Sequence, residues 1–195
     1  MPDVNFTAAI YGLWNNNYDG GTNITPPRCG MFFRSNSYVY ETLCKFDVSS
    51  LAGKTIDSAY LQFTVTGYGS GTVPNNVAAM EQNKTNPTGW STPPVYDDFG
   101  NYPGTHTDWD TLLNSVSGVR DIGTYTIVDS GDNIKNLVQS WIDNTADNWG
   151  LVLQRNDSTI TRYLVLGTVK IFISYTDSAT AAIFRRRLTL ITDLE

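Results

Sequence analysis

The sequence predicts an all-β protein: two antiparallel sheets packed face to face as a β-sandwich of jelly-roll type, with one short helix. Three observations carry this. Apolar residues recur with a period of two in several short runs, those runs are separated by stretches rich in Gly, Pro, Asn and Asp, and a single segment switches to helical spacing. Composition agrees. Charged residues make up 16% of the 195-residue chain, and Glu41, Glu81 and Glu195 are its only glutamates, whereas helical proteins place many on their exposed faces.

From the N-terminus, "VNFTAAIY" alternates more weakly, in the rhythm of a strand, and is followed by the turn-rich "NNNYDGGTNITPP". A turn in "RSNSY" with Asn36 and Ser37 at its tip sets Cys29 opposite Cys44. Two readings stay open for that pair, a disulfide or two small buried side chains, because oxidation depends on the compartment. In "ETLCKFDVSSLAGKTIDSAYLQFTV", Cys44 and Phe46 enter the core while Lys45 and Asp47 lie on the other face. Ser49 and Ser50 begin a turn that Gly53 permits, and in the next strand Ala59, Leu61, Phe63 and Val65 point inward while Tyr60, Gln62, Thr64 and Thr66 point out.

Residues 83–123 are expected to be mostly loop, being rich in turn formers such as "NPTGWSTPP" and "YDDFGNYPG". "TYTIV" and "LVLQR" read as short strands, and "TVKIFISYT" as a long one with Val169, Ile171, Ile173 and Tyr175 on one face. "DNIKNLVQSWIDN" is the exception. Its apolar residues Ile134, Leu137, Val138, Trp141 and Ile142 follow helical spacing, and Asp132 is placed to cap the first turn. Residues 1–176 form the sandwich domain. The extension 177–195, with Arg185, Arg186 and Arg187 ahead of the alternating Leu188 and Leu190, is expected to be an assembly arm that adds a strand to a neighbouring sheet.

A formal charge of -6 and a pI near 4.6 disfavour nucleic acid and anionic membranes as partners, since both repel an acidic surface. No apolar run approaches about 18 residues, so no membrane insertion is expected. The start "MPDVNFTAAI" lacks the basic and apolar regions of a signal peptide. With a low charged fraction and abundant Asn, Thr, Ser and Gly, the expected location is extracellular or a virion surface, with either a signal lost from this sequence or exit by another route, as a phage structural protein leaves by lysis.

The two longest motifs resemble a known family. "ETLCKFDVSSL" followed by "TIDSAYLQFTV" resembles the hallmark of the DNRLRE-type β-sandwich domains, through Leu43, Lys45, Phe46, Asp47, Ile56, Ser58, Ala59 and Leu61. "NNYDGG" is similar to that family's Asn-Tyr-Gly turn, with Asp19 inserted. "NIKNLVQSWIDNTADNWGLVLQ" is similar to its Val-Gln-x-Trp helix and Asn-Gly-Leu-x-Leu strand, here Val138, Gln139, Trp141, Asn148, Gly150, Leu151 and Leu153, with Trp149 inserted. The resemblance spans about residues 4–176. It implies a display module of secreted, cell-surface or phage tail proteins, some of whose members bind acidic polysaccharides, and no common catalytic centre.

Chemistry is sparse. The sole histidine, His106, has Asp108 nearby but no serine in a nucleophile elbow. Asp97, Asp98, Asp108 and Asp110 offer carboxylates for a polysaccharide hydrolase or lyase, yet Asp97 and Asp98 sit in a loop where aspartate forms turns. No catalytic residue is assigned. A structural calcium, which takes six to eight oxygen ligands, is a better use of Asp19, Asp97, Asp98, Asp129 and Asp132. Loop aromatics are the clearest binding signal: Trp90, Tyr96, Phe99, Tyr102 and Trp109 offer rings for the C–H faces of sugars, with Asn and Asp beside them for hydroxyls. The expected function is therefore a non-catalytic structural or adhesion module of a virion or cell surface. A carbohydrate-binding module for acidic polysaccharides is the alternative, and the expected partners are a glycan or neighbouring subunits in an oligomer or larger assembly.

Overall fold

The longest alternating runs become the longest strands. A computed structural model describes residues 3–15, 20–22, 26–33, 37–69, 76–81, 112–119, 121–144, 148–155 and 163–177. In chain order these form β1 (Asp3–Thr7), β2 (Ala9–Asn15), β3 (Gly20–Thr22), β4 (Arg28–Phe33), β5 (Ser37–Lys45), a 3-10 turn (Ser49–Leu51) and β6 (Lys54–Tyr68). There follow β7 (Asn76–Glu81), β8 (Leu112–Ser117), β9 (Gly123–Ile127), helix α1 (Asn133–Asp143), β10 (Leu151–Arg155) and β11 (Tyr163–Asp177).

Every strand pairing is antiparallel. One sheet has the order β3-β2-β5-β10-β7-β8 and the other β1-β11-β6-β9, while β4 pairs with β5 on one side and β11 on the other. The two layers are thus hydrogen-bonded together at a corner. Arg28 rivets that corner: its guanidinium lies 4.4 Å from the Tyr163 ring centre and 5.4 Å from that of Tyr40, and the Thr42 hydroxyl donates to the Arg28 carbonyl at 2.9 Å. Such cation–π contacts contribute ~1–2 kcal/mol when partly desolvated.

The core fills the space between the layers as alternation requires. Leu61, Phe63 and Val65 of β6 and Val169, Ile171 and Ile173 of β11 face Cys44, Leu151, Leu153, Val77 and Ala79 of the other sheet, all buried. Each large aliphatic or aromatic side chain so buried stabilises the fold by ~1.5–3 kcal/mol. Helix α1 packs on β6 with Ile134, Leu137, Val138, Trp141 and Ile142 inward, as its spacing predicts.

Four expectations need correction. "VNFTAAIY" is two strands, β1 in one sheet and β2 in the other, broken at Ala8, whose N–H donates to the Val169 carbonyl at 2.9 Å. Val4, Phe6, Ala8 and Ile10 all pack on the core, so the period of two runs unbroken through the crossing and hides it. The segment expected to be loop contains β8, which pairs with β7 and buries Leu113. Its "LLNSVS" is too polar to announce a strand, because Leu113 alone is fully enclosed.

The third correction concerns the cysteines. Pairing Cys29 with Cys44 would set Gly30 against Leu43, but Gly30 pairs with Tyr40, Cys29 with Leu164, and Cys44 with Ile10 and Leu151. Both are buried in the core as thiols, with no disulfide between them. Burial pushes the Cys44 thiol up, and the neighbouring Cys29 adds to the effect. Finally, Asp132 occupies the position before α1 but does not cap it with its side chain. Its backbone is left-handed at φ 58°, and its carboxylate takes the Lys135 ammonium at 2.6 Å. Asp129 makes the cap instead, accepting from the Lys135 N–H at 2.9 Å.

Candidate functional site

The expected binding aromatics Trp90, Tyr96, Phe99, Tyr102 and Trp109 lie outside the described residues, as do Asp19, Asp97, Asp98, His106, Asp108 and Asp110. So do the arm residues Arg185, Arg186, Arg187, Leu188 and Leu190. Of the calcium candidates, Asp129 and Asp132 are brought together, but around Lys135 at the start of α1. Among the described residues no three His, Cys, Asp or Glu side chains converge as a metal site.

Two surfaces remain to compare. The first is a cavity of about 410 Å³ where the chain crosses from β1 to β2, lined by Thr7, Ala9, Lys45, Phe46, Asp47, Val48, Ser49, Trp141 and Asn148. It brings together five residues of the two motifs, Lys45, Phe46, Asp47, Trp141 and Asn148, so it invites a functional reading. Its chemistry is already engaged in the fold. Phe46 and Trp141 stack with ring centres 6.3 Å apart and are 0% and 1% exposed, so neither offers a face to a ligand. Asp47 accepts from both the Ser49 hydroxyl, at 2.6 Å, and its N–H, at 3.1 Å, which holds the Asp47 carboxyl below its usual range. The Asn148 amide donates to the Phe46 carbonyl at 2.7 Å. The lining holds no histidine, and its one Ser–carboxylate pair, Ser49 with Asp47, closes the turn between two neighbouring positions of the chain.

Gln139, the other motif amide, is also structural. Its oxygen accepts from the Ile56 N–H at 2.8 Å and its nitrogen donates to the Lys54 carbonyl at 3.3 Å, so the side chain pairs with the start of β6 as a strand neighbour would.

The second surface is the outward face of the β1-β11-β6-β9 sheet. Phe172 stands opposite Tyr60, with rings 4.8 Å apart and 3° from parallel, and Tyr60 remains 37% exposed. Asn5 flanks Phe172 on β1, while the next row brings together Thr7, Lys170, Gln62 and Thr126. Aromatic rings among amides and hydroxyls can stack and hydrogen-bond at once. Alternation along β6 sets Tyr60 outward, but a single outward tyrosine is no binding signal in the sequence by itself. Its partner Phe172 was legible as the out-of-phase residue in "TVKIFISYT", but only the strand register brings the two together.

A third feature was missed altogether. Glu41 on β5 is 3% exposed, on the side of its sheet away from the main core, next to a small cluster of Leu43 and Val152 with Tyr11 and Met80 against it. Burial pushes its carboxyl up to about 8, so it is largely protonated at neutral pH. Its alternation with Leu43 was the available signal.

The sequence matches no family model and no curated protein. Among the described residues no helix is long and apolar enough to cross a membrane.

Proposed function

We propose that the chain is a non-catalytic structural and adhesion module displayed on a virion or cell surface, in keeping with its resemblance to the DNRLRE-type domains. The observation that carries this reading is the division of labour among its side chains. Phe46, Asp47, Gln139, Trp141 and Asn148, all motif residues, hold the sandwich together, while an outer sheet face stacks a partly exposed Tyr60 on a half-buried Phe172. The antiparallel neighbours β1 and β11 add a geometric reason. Asp3 pairs with Ser174, so the chain enters and leaves the described sandwich side by side, which suits attachment at one end and display of the rest.

Truncation after Asp177 tests the structural half. The shortened protein should unfold at the same temperature as the full chain but lose its self-association in light scattering. An unchanged assembly state would remove the arm from this proposal.

A second reading, a carbohydrate-binding module for acidic polysaccharides, is favoured by the Tyr60–Phe172 pair on its hydroxyl-rich sheet.

A further inference from the structure

We infer that the outward face of the β1-β11-β6-β9 sheet binds a carboxylate-bearing polysaccharide, with Tyr60 and Phe172 as its stacking step and Lys170 as the residue that reads the charge. The inference deepens the carbohydrate-binding reading and rests on it. It places the site on a sheet face, through Tyr60, Phe172 and Lys170.

The register is the starting point. Asn5, Phe172 and Tyr60 form one cross-strand row, and Thr7, Lys170, Gln62 and Thr126 form the next. Rows two residues apart lie roughly 7 Å from one another, and four strands span about 14 Å, the scale of a short stretch of sugar chain lying on the sheet. The bland account of the ring pair is cross-strand packing, which contributes only ~0.2–1 kcal/mol. It leaves unexplained why Tyr60 stays partly exposed against a half-buried Phe172 on a face whose other described members, Tyr68 apart, are mostly Thr, Ser, Asn and Gln, residues that give strand propensity or solubility without such a cost.

Ligand class follows from that mixture. A protein partner buries about 1,200–2,000 Å² around a connected apolar centre, and one ring pair ringed by hydroxyls does not provide it. Nucleic acid binds through several Lys and Arg set along its phosphates, and this face carries one cation among its described residues. A polysaccharide fits both parts: its C–H faces lie on rings, and its hydroxyls exchange hydrogen bonds with Gln62, Asn5 and Thr126.

Charge then selects among glycans. Lys170 is the one cation on this face among the described residues, and it stands one row from the rings. Asp3 lies on the edge strand and accepts from the Ser174 hydroxyl, on the other side of the ring row from Lys170. A sugar stacked on Tyr60 and Phe172 therefore places a pendant carboxylate within reach of an ammonium rather than an acid.

The test is affinity electrophoresis of the full chain in gels containing polygalacturonate or, as the neutral control, hydroxyethyl cellulose. Wild type should be retarded by polygalacturonate and much less by the neutral polymer. Exchanging Tyr60→Thr and Phe172→Thr together, which keeps strand propensity, should weaken polygalacturonate binding by roughly tenfold or more at an unchanged unfolding temperature. Lys170→Gln should bring the two polymers to similar, weak retardation. Should the double variant unfold, Tyr60→Thr alone, at an exposed position, carries the same expectation. Polygalacturonate binding that survives loss of the rings would overturn this site while leaving the carbohydrate-binding reading intact. Equal retardation of wild type by both polymers would overturn the role of Lys170, and no retardation by either would end the carbohydrate-binding reading together with this inference.

Discussion

At the scale of the residue, Gln139 shows how a motif side chain can be essential without being functional. Its amide supplies both a donor and an acceptor to the start of β6, at Lys54 and Ile56, where β11 pairs one edge of β6 and, among the described residues, no strand pairs the other. Leaving a partly buried N–H and carbonyl without partners costs ~1–3 kcal/mol. Gln139→Leu, which keeps the volume but not the hydrogen bonds, should lower the free energy of unfolding in urea by about that amount. Gln139→Ala should be at least as damaging. The same logic was readable in part from sequence: Phe46 and Cys44 alternate into the core, and both are fully enclosed. What one chain does not display is which atom meets which. Nothing in the text of the sequence says that Asn148 reaches back 102 positions to the Phe46 carbonyl, or that Asp129 rather than Asp132 caps α1.

At the scale of the element, periodicity identified the long strands and the helix because one face of each is buried against a single partner layer. β6 alternates through Ala59, Leu61, Phe63 and Val65, and α1 repeats at three and four residues. Elements whose burial is divided were harder to read. β8 pairs at the end of its sheet and encloses only Leu113, and β1 and β2 share one alternating run across two sheets. The ring pair was hidden for a related reason, since Tyr60 and Phe172 are 112 positions apart and meet only through the β6–β11 register. That register is irregular near Gly167, and the irregularity brings another element-level constraint. A Cβ at position 167 would lie 2.6 Å from the Thr64 hydroxyl oxygen and 2.7 Å from the Thr66 methyl, while the Thr64 hydroxyl already accepts from the Thr168 N–H. Gly167→Ala should therefore destabilise by ~1–3 kcal/mol, the usual cost of forcing a side chain into filled space. Thermal unfolding of the variant checks this, and combining it with Thr64→Ser, which keeps the hydroxyl, should restore none of the loss.

At the scale of the whole molecule, two layers joined at β4 leave little room for an ion away from solvent, yet Glu41 sits buried on the outer side of one layer. Its carboxyl is pushed up to about 8 by burial, from an ordinary value of 4.5. The unfolded chain releases this proton first. Between those two values the native state holds a proton that the unfolded state lacks, so stability falls as pH rises through the window and levels above it. The slope approaches ~1.4 kcal/mol per pH unit where the difference is complete, a total of a few kcal/mol. Asp47 acts with the opposite sign. Its hydrogen bonds from Ser49 depress the folded-state carboxyl, so the stability it contributes is present above its unfolded value and is lost only as the solution becomes strongly acidic. Together they place the maximum of stability on the mildly acidic side of neutrality. Urea titrations from pH 4 to 9 should show wild type weakening steadily toward alkali, and Glu41→Gln, which is isosteric and cannot ionise, should flatten that limb and exceed wild type above about pH 8 while leaving the acid limb in place. A parallel decline in the variant would mean that another group carries the alkaline loss and that Glu41 ionises near its ordinary value in the folded protein.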